Sequence, residues 1–359
     1  MRVSYGMSNI NDNCFDIIRL FCTFTVFFGH FLTHFAVDSN LMYHIAYFIR
    51  GVPMFFFLSG LFIARSLERY STKEYLKRRA IRIFPELWVC VLANLVIILF
   101  SMDGGYTAKD IMVYIGTQMT VFQFYTGEWL REYGVGVPNG ALWTITVDIQ
   151  FYILAIFLGK WMKEKKIGTW SIVILLLMIL DIALERGKEL YPEIVYKLLQ
   201  CSIIPFLWIF LFGMCLYYNR NYLIPITMKI SWISITAYLI WQYVVPDTIV
   251  RVFDGVRYNI ITTSLMVTMF TGIGFLFKKR MIHDYSYSFY LYHMVVINYI
   301  INNMYKTFSS KLQFVLTLIM SVIIIGFFAY LSHYYVAGKL TKWIESRLVK
   351  KGGEVCRTR

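Results

Sequence analysis

Long apolar runs separated by short polar breaks set the pattern of this chain. Ten of them approach the roughly 20 residues that a helix needs to cross a hydrocarbon core. They lie near 15–37, 45–65, 84–102, 141–160, 168–184, 200–218, 230–246, 259–277, 285–302 and 312–335, and are numbered here as spans 1 to 10. Lipid offers no partners to backbone N–H and C=O groups, so only helices or closed barrels cross it. The runs are too long and unbroken for barrel strands, which alternate. The pattern predicts an all-α fold, a polytopic transmembrane helical bundle of about ten spans. The first run is too long for a signal peptide and no small-residue cleavage site follows it, so it is read as span 1.

Composition agrees. Of the 359 residues 58% are hydrophobic and 16% charged, with a mean hydropathy of +0.58. Soluble domains carry about 45–50% apolar and about 25% charged residues. A soluble fold cannot hide this much apolar surface, whereas a bilayer can.

Charge adds orientation. Most of the 35 Lys and Arg fall at the two ends and in the connections after even-numbered spans. Basic connections stay on the cytoplasmic side, so both termini are expected there. The net charge of +14 is then largely cytoplasmic, where it serves topology and contact with anionic lipid rather than nucleic acid. The six cysteines, Cys14, Cys22, Cys90, Cys201, Cys215 and Cys356, avoid the interiors of outer connections and form no CxxC spacing. No disulfide framework is implied.

The organisation expected is one membrane domain over residues 1–337 and a short basic cytoplasmic tail over 338–359. The tail is weakly amphipathic at Leu340, Trp343, Ile344 and Leu348, which predicts a surface helix. The first cytoplasmic connection, Arg65 to Phe84, is the most basic piece. The long outer connection is 103–140. It holds an amphipathic stretch from Lys109 to Phe122, then an aromatic, Gly-rich segment from Tyr125 to Gly140. Two readings stand for it: a surface helix with a lid or acceptor-binding loop, or a plain linker.

Ionisable groups inside spans are costly, and each is a functional hypothesis. Span 1 carries Asp16, Arg19, His30 and His34. Arg19 and His30 share a helix face and lie about 16 Å apart along the axis. Asp16 is one turn from Arg19 and is expected to hold its guanidinium. Against a functional reading, Arg19 could snorkel to headgroups and His30 could be a packed histidine. The i, i+4 pair His30 and His34 lacks a third ligand, and no metal is expected. Span 4 places Asp148 about 10 Å from the outer end, at a depth like that of His30. A carboxylate beside an imidazole makes an oriented base; a structural hydrogen bond between helices is the other reading. Span 2 offers Ser59 and Gly60, with helix packing as the bland reading. Span 9 offers His293, deeper than any interfacial aromatic belt. Arg78, Arg79 and Arg82 precede span 3. Arg79 and Arg82 share a face, and their guanidinium forks suit the phosphates of a lipid or a cofactor.

Five ordered motifs then carry a resemblance. They are Asp16-x-x-Arg19 with His30 eleven residues on; Phe56-Phe57-Leu58-Ser59-Gly60; Arg79-x-x-Arg82-Ile83-Phe84-Pro85; Leu142-Trp143 through Asp148 with Gln150, Phe151 and Tyr152; and Ser286-Tyr287-Ser288-Phe289-Tyr290-Leu291-Tyr292-His293. Together they resemble acyltransferase family 3, the integral membrane O-acyltransferases of bacterial surface sugars. Asp148-Ile149 departs from the family's paired Glu, and a Glu-x-Pro-like ending is not evident near Val336 to Lys339.

The resemblance implies an acyl-CoA donor, usually acetyl-CoA, a glycan or lipid-linked saccharide acceptor, and the bacterial cytoplasmic (plasma) membrane as location. It places His30, Asp148, Arg19 and His293 in catalysis, and Arg79, Arg82, Arg19, Ser59 and Gly60 at the donor. Trp143 and Tyr152 fall at the acceptor. His30 is expected to take the acceptor's proton with Asp148 orienting it. A covalent acyl-enzyme on Ser59 or His293 stays open, as does a separate extracytoplasmic partner enzyme. A secondary transporter or flippase is the alternative class, since such folds also bury Arg, His and Asp.

Overall fold

The computed structural model describes residues 12–37 and 39–349, without the side chains of Leu348 and Val349. The last ten residues of the expected tail, including Cys356, and the Leu348 side chain lie outside the described residues, as does the segment before Asp12.

Along the chain run α1 (Phe15–His34), α2 (Asn40–Phe48), α3 (Gly51–Arg69), α4 (Thr72–Ser101), α5 (Ala108–Gln118), α6 (Trp143–Met162), α7 (Ile167–Arg186) and α8 (Glu193–Gln200). They are followed by α9 (Leu207–Tyr218), α10 (Arg220–Tyr243), α11 (Asp247–Val250), α12 (Ile260–Leu276), α13 (Ser286–Asn303), α14 (Lys311–Leu331) and α15 (Thr341–Val349). Each of the ten apolar runs holds a helix, and the described residues contain no β-strand. The fold is an all-α polytopic membrane protein.

Among the described residues, seven helical segments are long and apolar enough to cross a membrane. The pair α8 and α9, bent by 44° at its break, makes an eighth candidate, and α12 is apolar but shorter. Three boundaries differ from the sequence reading. The basic connection is mostly helical: α3 runs on to Arg69 and α4 starts at Thr72, because the Lys, Glu, Leu, Arg and Ala at 73–80 are good helix formers. The run at 45–65 is split by a break at Ile49 and Arg50 between α2 and α3. At the other end α14 continues through π-helical turns at Ser332–Leu340 into α15, so the expected tail helix is joined to the last span.

Two compact units make up the described chain. The first draws on residues within Met1–Gly29, Ser39–Thr72 and Trp143–Asp284. Within it α3 and α9 cross closely, with two glycines facing each other's helix. A Cβ on Gly60 would sit 2.0 Å from the Phe210 carbonyl oxygen, and one on Gly213 2.1 Å from that of Phe57. Small residues let helix backbones approach where lipid supplies no hydrophobic drive. Asp181 on α7 is buried, accepting from Trp208 Nε1 at 3.2 Å and from Val256 N at 2.9 Å. That carboxylate ties the 255–258 turn to the helices.

The second unit draws on residues within His30–Asp38, Lys73–Leu142 and Tyr285–Arg359. Its axis is α13, packed on α14 and buried along most of its length. The amphipathic stretch of the outer connection forms α5. A capping box starts it: Thr107 Oγ1 accepts from Asp110 N, and the Asp110 carboxylate accepts from Thr107 N. The segment after α5 is irregular, with short 3-10 turns at Glu128–Leu130 and Gly140–Leu142. Asparagines fasten it to α13. Asn298 Nδ2 donates to the carbonyls of Val137 at 2.9 Å and Pro138 at 3.0 Å, and its Oδ1 accepts from Val135 N at 3.0 Å. Asn139 Nδ2 donates to Leu291 O at 2.8 Å, and Tyr290 Oη to Ala141 O at 3.0 Å.

Candidate active site

In the second unit, three imidazoles gather. His30 and His34, one turn apart on α1, stack with ring centroids 5.5 Å apart and nearly parallel planes. The His293 ring on α13 lies 5.5 Å from that of His30. Sequence order separates these two helices by most of the chain, and the fold brings His30 and His293 together. His293 is fully buried, whereas His30 keeps partial exposure. His293 Nδ1 lies 2.6 Å from the carbonyl oxygen of Tyr290. A carbonyl only accepts, so Nδ1 carries the hydrogen. In the neutral ring Nε2 then holds the lone pair. That nitrogen is buried with no hydrogen-bond partner. A fixed tautomer with an uncommitted Nε2 is the arrangement of a proton acceptor. Among the described residues no group of three or more His, Cys, Asp or Glu could share a metal ion.

The same unit holds the α4 arginines. Arg79 is half-buried with its guanidinium 5.6 Å from the Tyr75 ring, and Arg82 is exposed. Arg78 pairs with Glu74 at 2.8 Å. One turn beyond Arg82, Glu86 is buried and accepts from Ser288 Oγ of α13 and from Ser332 Oγ of the π-helical turn.

In the first unit, Ser59 Oγ of α3 donates to Asp148 Oδ1 of α6 at 3.1 Å. Asp148 thus has a partner in its own unit that the sequence reading did not foresee. Gly60 is taken up by the close approach to α9. Trp143, at the start of α6, lies under the Arg257 guanidinium at 4.3 Å and against Phe206. Tyr152 is buried further along α6. Gln150 braces the break between α8 and α9, donating to Cys201 O at 3.3 Å and accepting from Ile203 N at 2.9 Å.

Asp16 and Arg19 correct the sequence reading. Arg19 pairs with Asp284 at 3.3 Å and lies over the Phe62 ring. Asp16 instead accepts from Met281 N at 2.5 Å and Ile17 N at 3.0 Å. The connection after α12 folds against the start of α1 and offers both groups better-placed partners than each other.

The family model described as an acyltransferase domain matches residues 12–336, nearly the whole chain. The chain belongs to acyltransferase family 3. Curated relatives agree. It is 25% identical over 342 residues to the O-acetyl transferase of Shigella phage Sf6, covering 89% of this chain and 93% of the relative. It is 25% identical over 317 residues to nodulation protein 10 of Rhizobium leguminosarum bv. viciae, covering 82% and 85%. No solved structure matches it. This acyltransferase family 3 protein is a multi-pass membrane O-acyltransferase.

Residues that the sequence reading passed over now stand beside those it named. Glu86 follows the motif ending at Pro85 and carries an intramembrane carboxylate, a signal that was available. Arg257 and Asn298 gave only weak signals. The Tyr290 carbonyl, being backbone, gave none.

Proposed function

We propose that the protein moves an acyl group, acetyl in the first instance, from cytoplasmic acyl-CoA to a hydroxyl of a cell-surface glycan or its lipid-linked precursor. The single observation that carries the reading is the His30–His293 pair, with its buried, uncommitted Nε2, in a chain of this family. The name of the Shigella phage relative supports acetyl as the group transferred.

His30 is the more accessible imidazole and meets the acceptor hydroxyl; His293 stands behind it as the buried partner. The hydroxyl gives its proton to the imidazole as its oxygen attacks the thioester carbonyl carbon. The C–S bond breaks, the ester forms, and the imidazolium returns the proton to the departing CoA thiolate. A general base of this kind contributes about 10²–10⁴-fold. Burial restricts water, which limits thioester hydrolysis. Arg79 and Arg82 are the cations for the phosphates of CoA, and Arg19, in the first unit, is a further donor-side cation. Ser59 and Asp148 form a second polar pair, and Trp143 and Tyr152 contribute acceptor-side aromatics. We read both termini as cytoplasmic and about ten helices as crossing the plasma membrane of a bacterial cell.

Equilibrium binding of radiolabelled acetyl-CoA to detergent-purified protein tests the donor assignment. Wild type binds, and Arg79→Ala with Arg82→Ala weakens binding at least tenfold. No affinity of wild type for any acyl-CoA would return the transporter reading to first place.

A further inference from the structure

The second unit also contains a pocket apart from the His30–His293 pair. It has a volume of about 300 Å³ and lies between α5 and the segment that follows it. That places it at the lower bound of small-ligand clefts, roughly 300–1,000 Å³.

Its lining has a definite chemistry. Trp129 and Tyr125 supply aromatic surface, and Trp129 is itself propped by Tyr106 and Tyr114. Gln118, Lys109, Asp110 and Glu128 supply polar groups. One ammonium beside two carboxylates gives no field that would select an anion such as a phosphate. The polar rim is equally wrong for an acyl chain. Aromatic faces beside amide and carboxylate acceptors suit a ligand with C–H faces and several hydroxyl donors.

A second observation points the same way. Gln118 is 2% exposed. Its Nε2 donates to Tyr125 O at 2.9 Å, which fixes which way the amide is turned. Its Oε1 is then a buried acceptor with no partner. Leaving a buried polar group unsatisfied costs about 1–3 kcal/mol, and a hydroxyl from a ligand would satisfy it.

The pocket is also joined to the helix that carries His293. The Tyr114 hydroxyl accepts from Asn94 Nδ2 at 3.2 Å, and the same amide donates to Pro138 O at 3.1 Å. Pro138 O also takes Asn298 Nδ2, and Asn298 is five residues beyond His293 on α13. An occupied pocket therefore bears on α13 through three hydrogen bonds in series.

We propose that the pocket between α5 and residues 125–130 is a saccharide-binding subsite, holding one sugar ring of the acceptor against Trp129 with a ring hydroxyl on Gln118 Oε1. The proposal rests on the glycan-acceptor reading above and names where the glycan is held.

Saturation-transfer NMR on the full-length protein in nanodiscs tests it, with the methyl glycosides of glucose, galactose, rhamnose and N-acetylglucosamine as probes. Acetyl-CoA turnover is measured on the same wild-type preparation. At least one glycoside gives signal with wild type and equally with His30→Ala. Gln118→Leu and Trp129→Leu each reduce that signal at least fivefold. Val113→Trp, which fills the pocket from an exposed position and spares the buried amide, does the same while its thermal midpoint stays at the wild-type value. Binding that survives Val113→Trp would place the saccharide elsewhere and overturn the subsite, leaving the enzyme reading intact. No glycoside signal with wild type, in a preparation that turns over acetyl-CoA, would overturn it too. A preparation that binds glycosides in this pocket yet never consumes acyl-CoA would support the subsite and remove the transferase reading instead.

Discussion

The Nδ1 of His293 lies 2.6 Å from the carbonyl oxygen of Tyr290, three residues back on the same helix. This bond fixes the imidazole's tautomer without recruiting a carboxylate. In the proposed mechanism it also makes backbone geometry on α13 part of what positions the imidazole. Replacing His293 by Leu removes the lone pair in a site that is fully buried. Turnover of acetyl-CoA is predicted to fall about 10²–10⁴-fold, with donor affinity unchanged. A variant with wild-type turnover would show that His293 is only packing.

The Ser59–Asp148 pair separates charge from hydrogen bonding. Asp148→Asn keeps an oxygen to accept from Ser59 but removes the negative charge. Turnover is predicted to fall at least about 100-fold if the Asp148 charge serves catalysis, the scale of losing an acid–base group. Ser59→Ala leaves the charge in place and is predicted to cost less than Asp148→Asn. Rates measured side by side, with thermal midpoints as a folding control, decide it. The opposite ranking would point to Ser59 as the nucleophile.

Glu86 links three elements through Ser288 and Ser332. Glu86→Ala leaves two hydroxyls without their acceptor, at about 1–3 kcal/mol for each buried group orphaned. A lowered thermal midpoint is expected for Glu86→Ala, with a smaller drop for Glu86→Gln, whose amide oxygen still accepts. Equal midpoints for both variants and wild type would contradict the bracing role.

Asp110 gives a pH dependence. The Thr107 side chain and backbone donate to its carboxylate and hold it below the usual carboxylate range. Because its folded value is depressed, the contribution to α5 is complete above about pH 4. It is lost as pH falls through that folded value. Amide-exchange protection of α5, taken relative to the intrinsic rate at each pH, should therefore fall below about pH 4 in wild type, and Asp110→Asn should flatten that response. Identical pH profiles would show that the capping box is not what holds the start of α5.

The helical bundle was legible because lipid imposes one strong rule on the sequence: about 20 apolar residues per crossing. Boundaries were less so. Charged residues at 73–79 hide the start of α4 from a hydropathy reading although they favour helix. The ordered motifs carried His30, Asp148 and His293 to the right family, yet neither the Tyr290 carbonyl nor the Ser59 partner of Asp148 has a sequence signature. Asp16 was paired with Arg19 because they are neighbours on one helix; Asp284 and the Met281 backbone, far along the chain, compete for them successfully. The pocket beside α5 depends on an irregular segment whose course no periodicity predicts.

The most direct measurement is turnover of radiolabelled acetyl-CoA by purified wild type beside His30→Ala in the presence of a glycan acceptor. The account predicts label in the glycan with wild type, and donor binding but no transfer with His30→Ala. Transfer by His30→Ala at the wild-type rate would contradict it.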